Sequence, residues 1–204
     1  MEKGKIYSFV GPARGGKSYA ASEVAGRSFY DGVPCIEVDF SDGIREVVNV
    51  AISGESTPAV DVKSEYYDDW KKCEQSIVSP NGKICVVDGR TMLKNVGEFL
   101  KNRVYNEIWA NWVLNLAMNK YYEMNMVDRT ACNIIFGSLR FEVELKAIIK
   151  CAELTQKKIE IRFCNHFNKP EIRGAVHPSE ELSQRLIHYG VKDGDIVNDY
   201  FSIS

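Results

Sequence analysis

The sequence has no paired or clustered cysteines. Cys35, Cys73, Cys85, Cys132, Cys151 and Cys164 are scattered, with no C-x-x-C pair and no cysteine–histidine cluster at zinc-ligand spacing. That argues against a disulfide framework or a structural zinc site, and the six read as reduced, mostly buried thiols of a cytoplasmic protein. Charge of one sign is not in excess either. Lys and Arg number 26 against 28 Asp and Glu, a net charge of −2, so no global basic field argues for stable binding to DNA or RNA. Any cationic surface has to be local. Apolar runs are short: none approaches the ~18 residues needed to cross a bilayer, and the charged start Met1-Glu-Lys-Gly-Lys5 leads directly into a strand-like run. A soluble protein with no membrane association and no export signal is expected. Internal repeats and low-complexity tracts are missing as well. The 204 residues, 45% of them hydrophobic, suffice for one domain with one sizeable core and room for a small mobile subdomain.

The most informative stretch is Gly11-Pro-Ala-Arg14-Gly15-Gly16-Lys17-Ser18, set directly after the apolar run Ile6-Tyr-Ser-Phe-Val10. A glycine, four residues and then Gly-Lys-Ser is the phosphate-binding loop of nucleoside triphosphate proteins. Its glycines let successive backbone N–H groups converge on phosphate oxygens, Lys17 reaches the β- and γ-phosphates, and the Ser18 hydroxyl is a ligand for Mg2+. The following Tyr19-Ala-Ala-Ser-Glu-Val-Ala has helical propensity, which would place the loop on a helix N-terminus whose dipole favours anions. Gly11, Arg14, Gly15, Gly16, Lys17, Ser18 and Tyr19 are therefore the candidate ATP contacts, with Mg2+ on Ser18. The loop alone does not name the phosphoryl acceptor, because GTPases, ATPases and small-molecule kinases share it.

Along the chain, strand-like and helical segments alternate, which predicts an α/β domain with a mostly parallel central sheet flanked by helices. Strands are expected over Lys5–Val10, Cys35–Asp39, Asn133–Phe136 and Lys158–Cys164. Helices are expected over Ser18–Phe29, Asp39–Ile52, Thr91–Leu100, Asn106–Asn125, Arg140–Leu154 and about Ser179–His188, the last stopped by Gly190. Ala59–Gly82 is polar, carries Tyr66, Tyr67 and Trp70, and reads as a surface insertion with moderate helix content. Ile84-Cys-Val-Val87 before Asp88 admits two readings: a Walker B strand whose acid orients Mg2+ through water, or a strand or hairpin arm inside the insertion.

Taken together, the segments resemble the phage-type deoxynucleoside monophosphate kinases, a branch of the P-loop nucleoside monophosphate kinase superfamily. Asp39-Phe40-Ser41-Asp42-Gly-Ile-Arg45-Glu46 is similar to that family's Phe-Ala-x-x-Leu-Lys-Glu segment. Gly89-Arg90-Thr-Met-Leu93-Lys-Asn-Val-Gly97-Glu98 resembles its arginine and Leu-Gln-x-x-Gly-Thr-Glu run, followed by Arg103 and Trp109. Ser138-Leu139-Arg140-Phe141-x-x-Glu144 resembles Asp-x-Arg-Phe-x-x-Glu, His177-Pro-Ser179-Glu180 resembles His-x-Ser-Glu, and Asp195-x-x-Asn198 the C-terminal Asp and Asn signature. The likeness runs over nearly the whole chain in the same order. Two positions depart from it: the acid is Ser138 here, leaving Asp39, Asp42 or Asp88 to substitute, and no Thr separates Gly97 from Glu98.

The resemblance implies a P-loop kinase fold with an NMP-binding helical region over about 39–130 and a lid over about 165–178. It implies ATP and Mg2+ as cofactors, a deoxynucleoside monophosphate as acceptor, and a host-cytoplasmic location for a phage-encoded enzyme. Asp39, Phe40, Arg45, Arg90, Glu98, Arg103, Trp109 and Glu144 become candidate acceptor contacts, Arg140 joins Lys17 as a catalytic candidate, and Arg173 in the lid and Asn198 near the adenine complete the ATP site. Bidentate guanidinium contacts suit this chemistry, since phosphoryl transfer needs charge neutralised and reactants held in line. Each also has an ordinary reading. Phe40 and Trp109 stack on a base or fill core, Glu98 bonds a base or sugar edge or serves as a surface acid, and Asn198 reads adenine or turns the chain. His166 and His177 read as structural, since an ionised acceptor needs no strong base. The aromatic helix Asn106–Asn125 suits core packing or a homodimer interface. Alternative functions are a dephospho-coenzyme A or other small-metabolite kinase, and a nucleotide-binding regulator that no longer transfers phosphate.

Overall fold

The computed structural model describes residues 3–11, 15–53, 67–78, 81–164, 178–188 and 190–192. Arg14, the lid segment with His166, Lys169, Arg173 and His177, and Asp195 and Asn198 lie outside them. The chain divides into two compact units, residues 1–40 with 110–204 and residues 41–109.

The first unit opens with β1 (Ile6–Val10), α1 (Lys17–Tyr30) and β2 (Cys35–Val38). The second contains α2 (Asp42–Ser53), a short α3 (Tyr67–Trp70), the strands β3 (Glu74–Val78) and β4 (Ile84–Asp88), and α4 (Gly89–Arg103). Helix α5 (Ile108–Glu123) leads back into the first unit, followed by α6 (Met126–Ala131), β5 (Asn133–Phe136), α7 (Glu142–Thr155), β6 (Ile159–Phe163) and α8 (Pro178–His188). Residues 110–130, expected within the acceptor-binding region, thus belong with the sheet unit.

The sheet of the first unit is wholly parallel, in the order β2-β5-β1-β6. Its strands are near-continuous apolar runs because both faces are covered. Alternation sorts them: Ile6, Val10, Ile36, Val38, Ile134, Phe136, Ile159 and Ile161 join one core cluster with residues of α5 and α7. Phe9, Ile135 and Cys164 join Ala21 of α1 in another. Each such aliphatic or aromatic side chain removed from water contributes roughly 1.5–3 kcal/mol. Ser8 shares the face of Ile6 and Val10, is fully buried, and its Oγ has no hydrogen-bond partner among the described residues. Beneath α6, the buried Lys157 donates to the Arg129 and Thr130 carbonyls at 3.0 and 2.9 Å, satisfying two carbonyls at that helix's C-terminal end. Burial pushes the Lys157 ammonium down in pKa.

In the second unit β3 and β4 form an antiparallel hairpin. This decides the two readings of Asp88. Its strand is an exposed hairpin arm, with Ile84 62% and Val86 53% exposed, outside the parallel sheet. Asp88 is the N-cap of α4, its Oδ1 accepting from Thr91 N at 2.9 Å and its Oδ2 from Thr91 Oγ1 at 2.7 Å. Those bonds hold its carboxyl below the ordinary range, as an N-cap acid should be. The insertion expected to be moderately helical yields one turn of helix and a strand.

The thiols divide. Cys132, Cys151 and Cys164 are buried, Cys35 is partly buried, and Cys73 and Cys85 on the hairpin side are exposed. Burial pushes Cys35 and Cys151 up to about 12 and Cys132 to about 11, which leaves them protonated and poorly nucleophilic. No helix among the described residues is long and apolar enough to cross a membrane.

Candidate active site

Three parallel strands place their C-terminal ends side by side, the edge at which open α/β sheets bind ligands. At the end of β1, Gly11 has φ 145°, and a Cβ there would lie 2.2 Å from the Cys164 carbonyl oxygen after β6. Only glycine lets the loop leave the strand at that point. Gly16 takes φ 85°, ψ 14° and caps α1 without a side-chain bond of its own. Helix α1 therefore starts at Lys17, its first-turn N–H groups at the loop, where dipole and donors favour an anion. Lys17 is 8% exposed, and its Nζ donates to the Gly11 carbonyl at 2.8 Å. The cation thus folds back over the loop it is expected to serve. Ser18 and Tyr19 are exposed in the first turn. A hydroxyl there, together with phosphate oxygens and water, is the hard oxygen donor set that Mg2+ takes, so the residues present fit the ion.

Next to this loop, Asp39 follows β2 and Gly137 follows β5. Gly137 N donates to the Val38 carbonyl at 2.9 Å, and a Cβ on Gly137 would lie 2.8 Å from Asp39 Oδ2. The Asp39 carboxylate therefore rests against the backbone immediately before Ser138, which is buried. Leu139 N donates to the Phe9 carbonyl at 2.9 Å, tying this segment to β1. Arg140 then emerges exposed.

What fixes Arg140 is Glu144. One carboxylate oxygen, Oε2, accepts from Arg140 N at 2.6 Å and from Phe141 N at 3.0 Å, while Glu144 N donates to the Phe141 carbonyl at 3.1 Å. The acid thus reaches back to backbone donors at the start of α7. Glu144 is 8% exposed. Burial pushes its pKa up to about 7, helped by the Asp39 carboxylate and opposed by the two amides and the Arg140 charge. The resemblance made Glu144 an acceptor contact; the structure gives it the task of holding the Arg140 segment. Phe40 differs from expectation too. It is 4% exposed, with its ring stacked on Phe136 at 5.6 Å between centroids, so it packs in the core and offers no face to a base.

The remaining acceptor candidates lie in the second unit. Arg45 donates to Ser41 Oγ at 2.5 Å and pairs with Asp42 one turn back on α2. Arg90, Glu98 and Arg103 are exposed on α4, with Arg90 N bonded to the Lys71 carbonyl at 3.0 Å. Trp109 is partly buried, and its Nε1 donates to the Gly97 carbonyl at 3.0 Å. Gly97 itself lies against Ile44, where a Cβ would meet Cδ1 at 3.1 Å. Sequence reasoning passed over Asn49, buried on α2 beside Arg45, Tyr67 and Trp70. Its signal was the four-residue spacing from Arg45, which puts both on one helical face.

No protein-family model matches the chain, and no curated protein sequence matches it significantly. Among solved structures, the chain is similar to a mutant of the Mycobacterium tuberculosis APS kinase CysC at 11% identity, over 92% of this chain and 97% of that one, with a TM-score of 0.40. It is likewise similar to the same kinase in complex with AMPPNP and APS at 10% identity, over 94% and 75% of the two chains, with a TM-score of 0.41. Likenesses of this degree add nothing about the chemistry of this chain.

Proposed function

We propose that this chain is an ATP-dependent kinase that transfers the γ-phosphate of ATP to a deoxynucleoside monophosphate. The observation that carries the reading is the loop at the end of β1. Gly11 and Gly16 both have positive φ, Lys17 is buried against the loop, and α1 begins at that lysine.

In this reading Lys17 exchanges its bond to the Gly11 carbonyl for the β- and γ-phosphates, and the α1 backbone donors take the remaining oxygens. Ser18 would hold Mg2+, which when bound neutralises charge on the triphosphate. Arg140 stabilises the transferring group, its main chain held by Glu144. Arg45, Arg90 and Arg103 are the cations proposed to hold the acceptor phosphate. The Asp39 carboxylate, lying against Gly137, supplies the acid that Ser138 lacks. Transfer between two anions is then a matter of positioning and charge neutralisation, with little covalent work for the protein.

The test is chromatographic. ATP is incubated with the chain and a panel of deoxynucleoside monophosphates, with dephospho-coenzyme A and APS as competing acceptors. The expected products are ADP and a deoxynucleoside diphosphate in equal amounts. Product from dephospho-coenzyme A or APS alone would reassign the acceptor. Tight ATP binding with no acceptor-dependent ADP release would make the chain a regulator.

A further inference from the structure

The unit of residues 41–109 carries an open concavity of about 210 Å3 lined by Arg45, Asn49, Tyr67 and Trp70. Arg45 and Asn49 lie one helical turn apart on α2, so a cation and a carboxamide share one face. Arg45 is steadied by Ser41 and Asp42, and Asn49 is 6% exposed. The aromatic wall is equally well fixed. Tyr67 and Trp70 stack with centroids 5.9 Å apart and planes 10° from parallel, and the Lys71 ammonium sits 4.4 Å from the Tyr67 ring centre. Behind Trp70 lies main chain: a Cβ on Gly89 would meet the indole Cζ3 at 2.9 Å. Glycine at that position lets the indole pack directly on the backbone, and the Arg90 N bond to the Lys71 carbonyl ties α4 to the same turn.

These walls select their ligand by elimination. A hydrocarbon would strip water from Arg45 and Asn49 and return nothing. A bare anion would make no use of the rings. A planar heterocycle with a donor–acceptor edge satisfies both, stacking on the indole while the carboxamide, which offers donor and acceptor together, pairs with its edge. The volume falls below the ~300–1,000 Å3 of pockets that enclose drug-sized ligands, so one ring system enters and the rest of the molecule stays outside. We infer that this concavity is the base-recognition subsite for the acceptor nucleotide, with Trp70 as stacking platform and Asn49 as the residue that reads the base edge. The word acceptor rests on the kinase reading above; the recognition of a nucleobase does not.

The test is calorimetric titration of dTMP, dCMP, dAMP and dGMP, and of the matching nucleosides, into the wild-type chain, Trp70→Leu, Trp70→Phe and Asn49→Asp, with ATP titrated in parallel. Trp70→Leu is expected to weaken the preferred monophosphate and its nucleoside by about tenfold or more, the scale of one base–aromatic stack. Trp70→Phe keeps a stacking face and should restore most of that loss. Asn49→Asp removes a donor and should change the rank order of the four bases. ATP affinity should stay within about twofold throughout, which also shows that the variants are folded. The inference is overturned if none of the nucleosides or monophosphates binds the wild type, or if affinity and rank order survive both Trp70→Leu and Asn49→Asp. Base-selective binding lost in Trp70→Leu, but without phosphoryl transfer in the wild type, would sink the kinase reading and leave the subsite standing. Transfer with an unchanged acceptor KM in Trp70→Leu would do the reverse.

Discussion

Glu144→Gln separates the structural cost of a buried acid from its use. In the native chain this carboxyl is 8% exposed and has its pKa raised from the ordinary 4.5 to about 7. The raised value means that the folded state holds the proton more tightly than the unfolded chain does. Stability from this group is therefore fully present below about pH 4.5 and is lost as pH rises towards about 7. At 1.36 kcal/mol for each pH unit, the loss across that window is about 3 kcal/mol. A glutamine is isosteric, and its carbonyl oxygen can accept the same N–H bonds from Arg140 and Phe141, but it does not titrate. Urea unfolding of both proteins at pH 5, 6, 7 and 8 isolates the group, because every other titrating residue is common to the pair. The variant should gain on the wild type by about 3 kcal/mol between pH 5 and pH 8. Its two neutral hydrogen bonds are each weaker than the charged ones by about 1 kcal/mol, which offsets the curve without changing its slope. A difference that is flat with pH, or that falls as pH rises, would refute the placement of Glu144 as a buried acid capping α7.

Three further outcomes follow from single side chains. Ser8→Ala removes a buried hydroxyl with no partner among the described residues and should stabilise the chain by about 1 kcal/mol in chemical denaturation; a loss of stability would mean that the hydroxyl is satisfied. Asp88→Ala removes the N-cap of α4 and should cost about 1 kcal/mol, with ATP turnover within about twofold of wild type. A thousandfold loss of rate would restore Asp88 to the metal site. Lys17→Ala should leave the thermal melt cooperative while phosphoryl transfer falls by at least about 1,000-fold, on the scale of losing a transition-state charge contact.

Much of this architecture was legible because the chemistry is local. The phosphate loop is a contiguous motif whose glycines are demanded by backbone geometry, and Gly11 and Gly16 both take positive φ. The strands β1, β5 and β6 were visible as apolar runs, since a parallel sheet covered on both faces needs few polar positions. Boundaries shifted where a side chain intervened: α7, expected from Arg140, starts at Glu142 because Glu144 turns back to the preceding amides. Other features were not local. Ile84–Val87 reads like a buried strand, yet its partner is the polar β3, and only that pairing shows that Asp88 caps a helix. Phe40 follows a strand in a motif suggestive of substrate, but its neighbour Phe136 lies 96 residues away in sequence. Asn49 gave no sign beyond its helical spacing, since Tyr67 and Trp70 complete its surroundings only in the folded chain.

The central claim is that the loop around Lys17 delivers a phosphoryl group to a monophosphate acceptor. The most direct measurement follows γ-labelled ATP with each deoxynucleoside monophosphate, in wild type and in Lys17→Ala. The account predicts label in a deoxynucleoside diphosphate, one for each ADP released, and none with the variant. Label that stays on ATP or appears only as inorganic phosphate with every acceptor, while ATP binds normally, would contradict it.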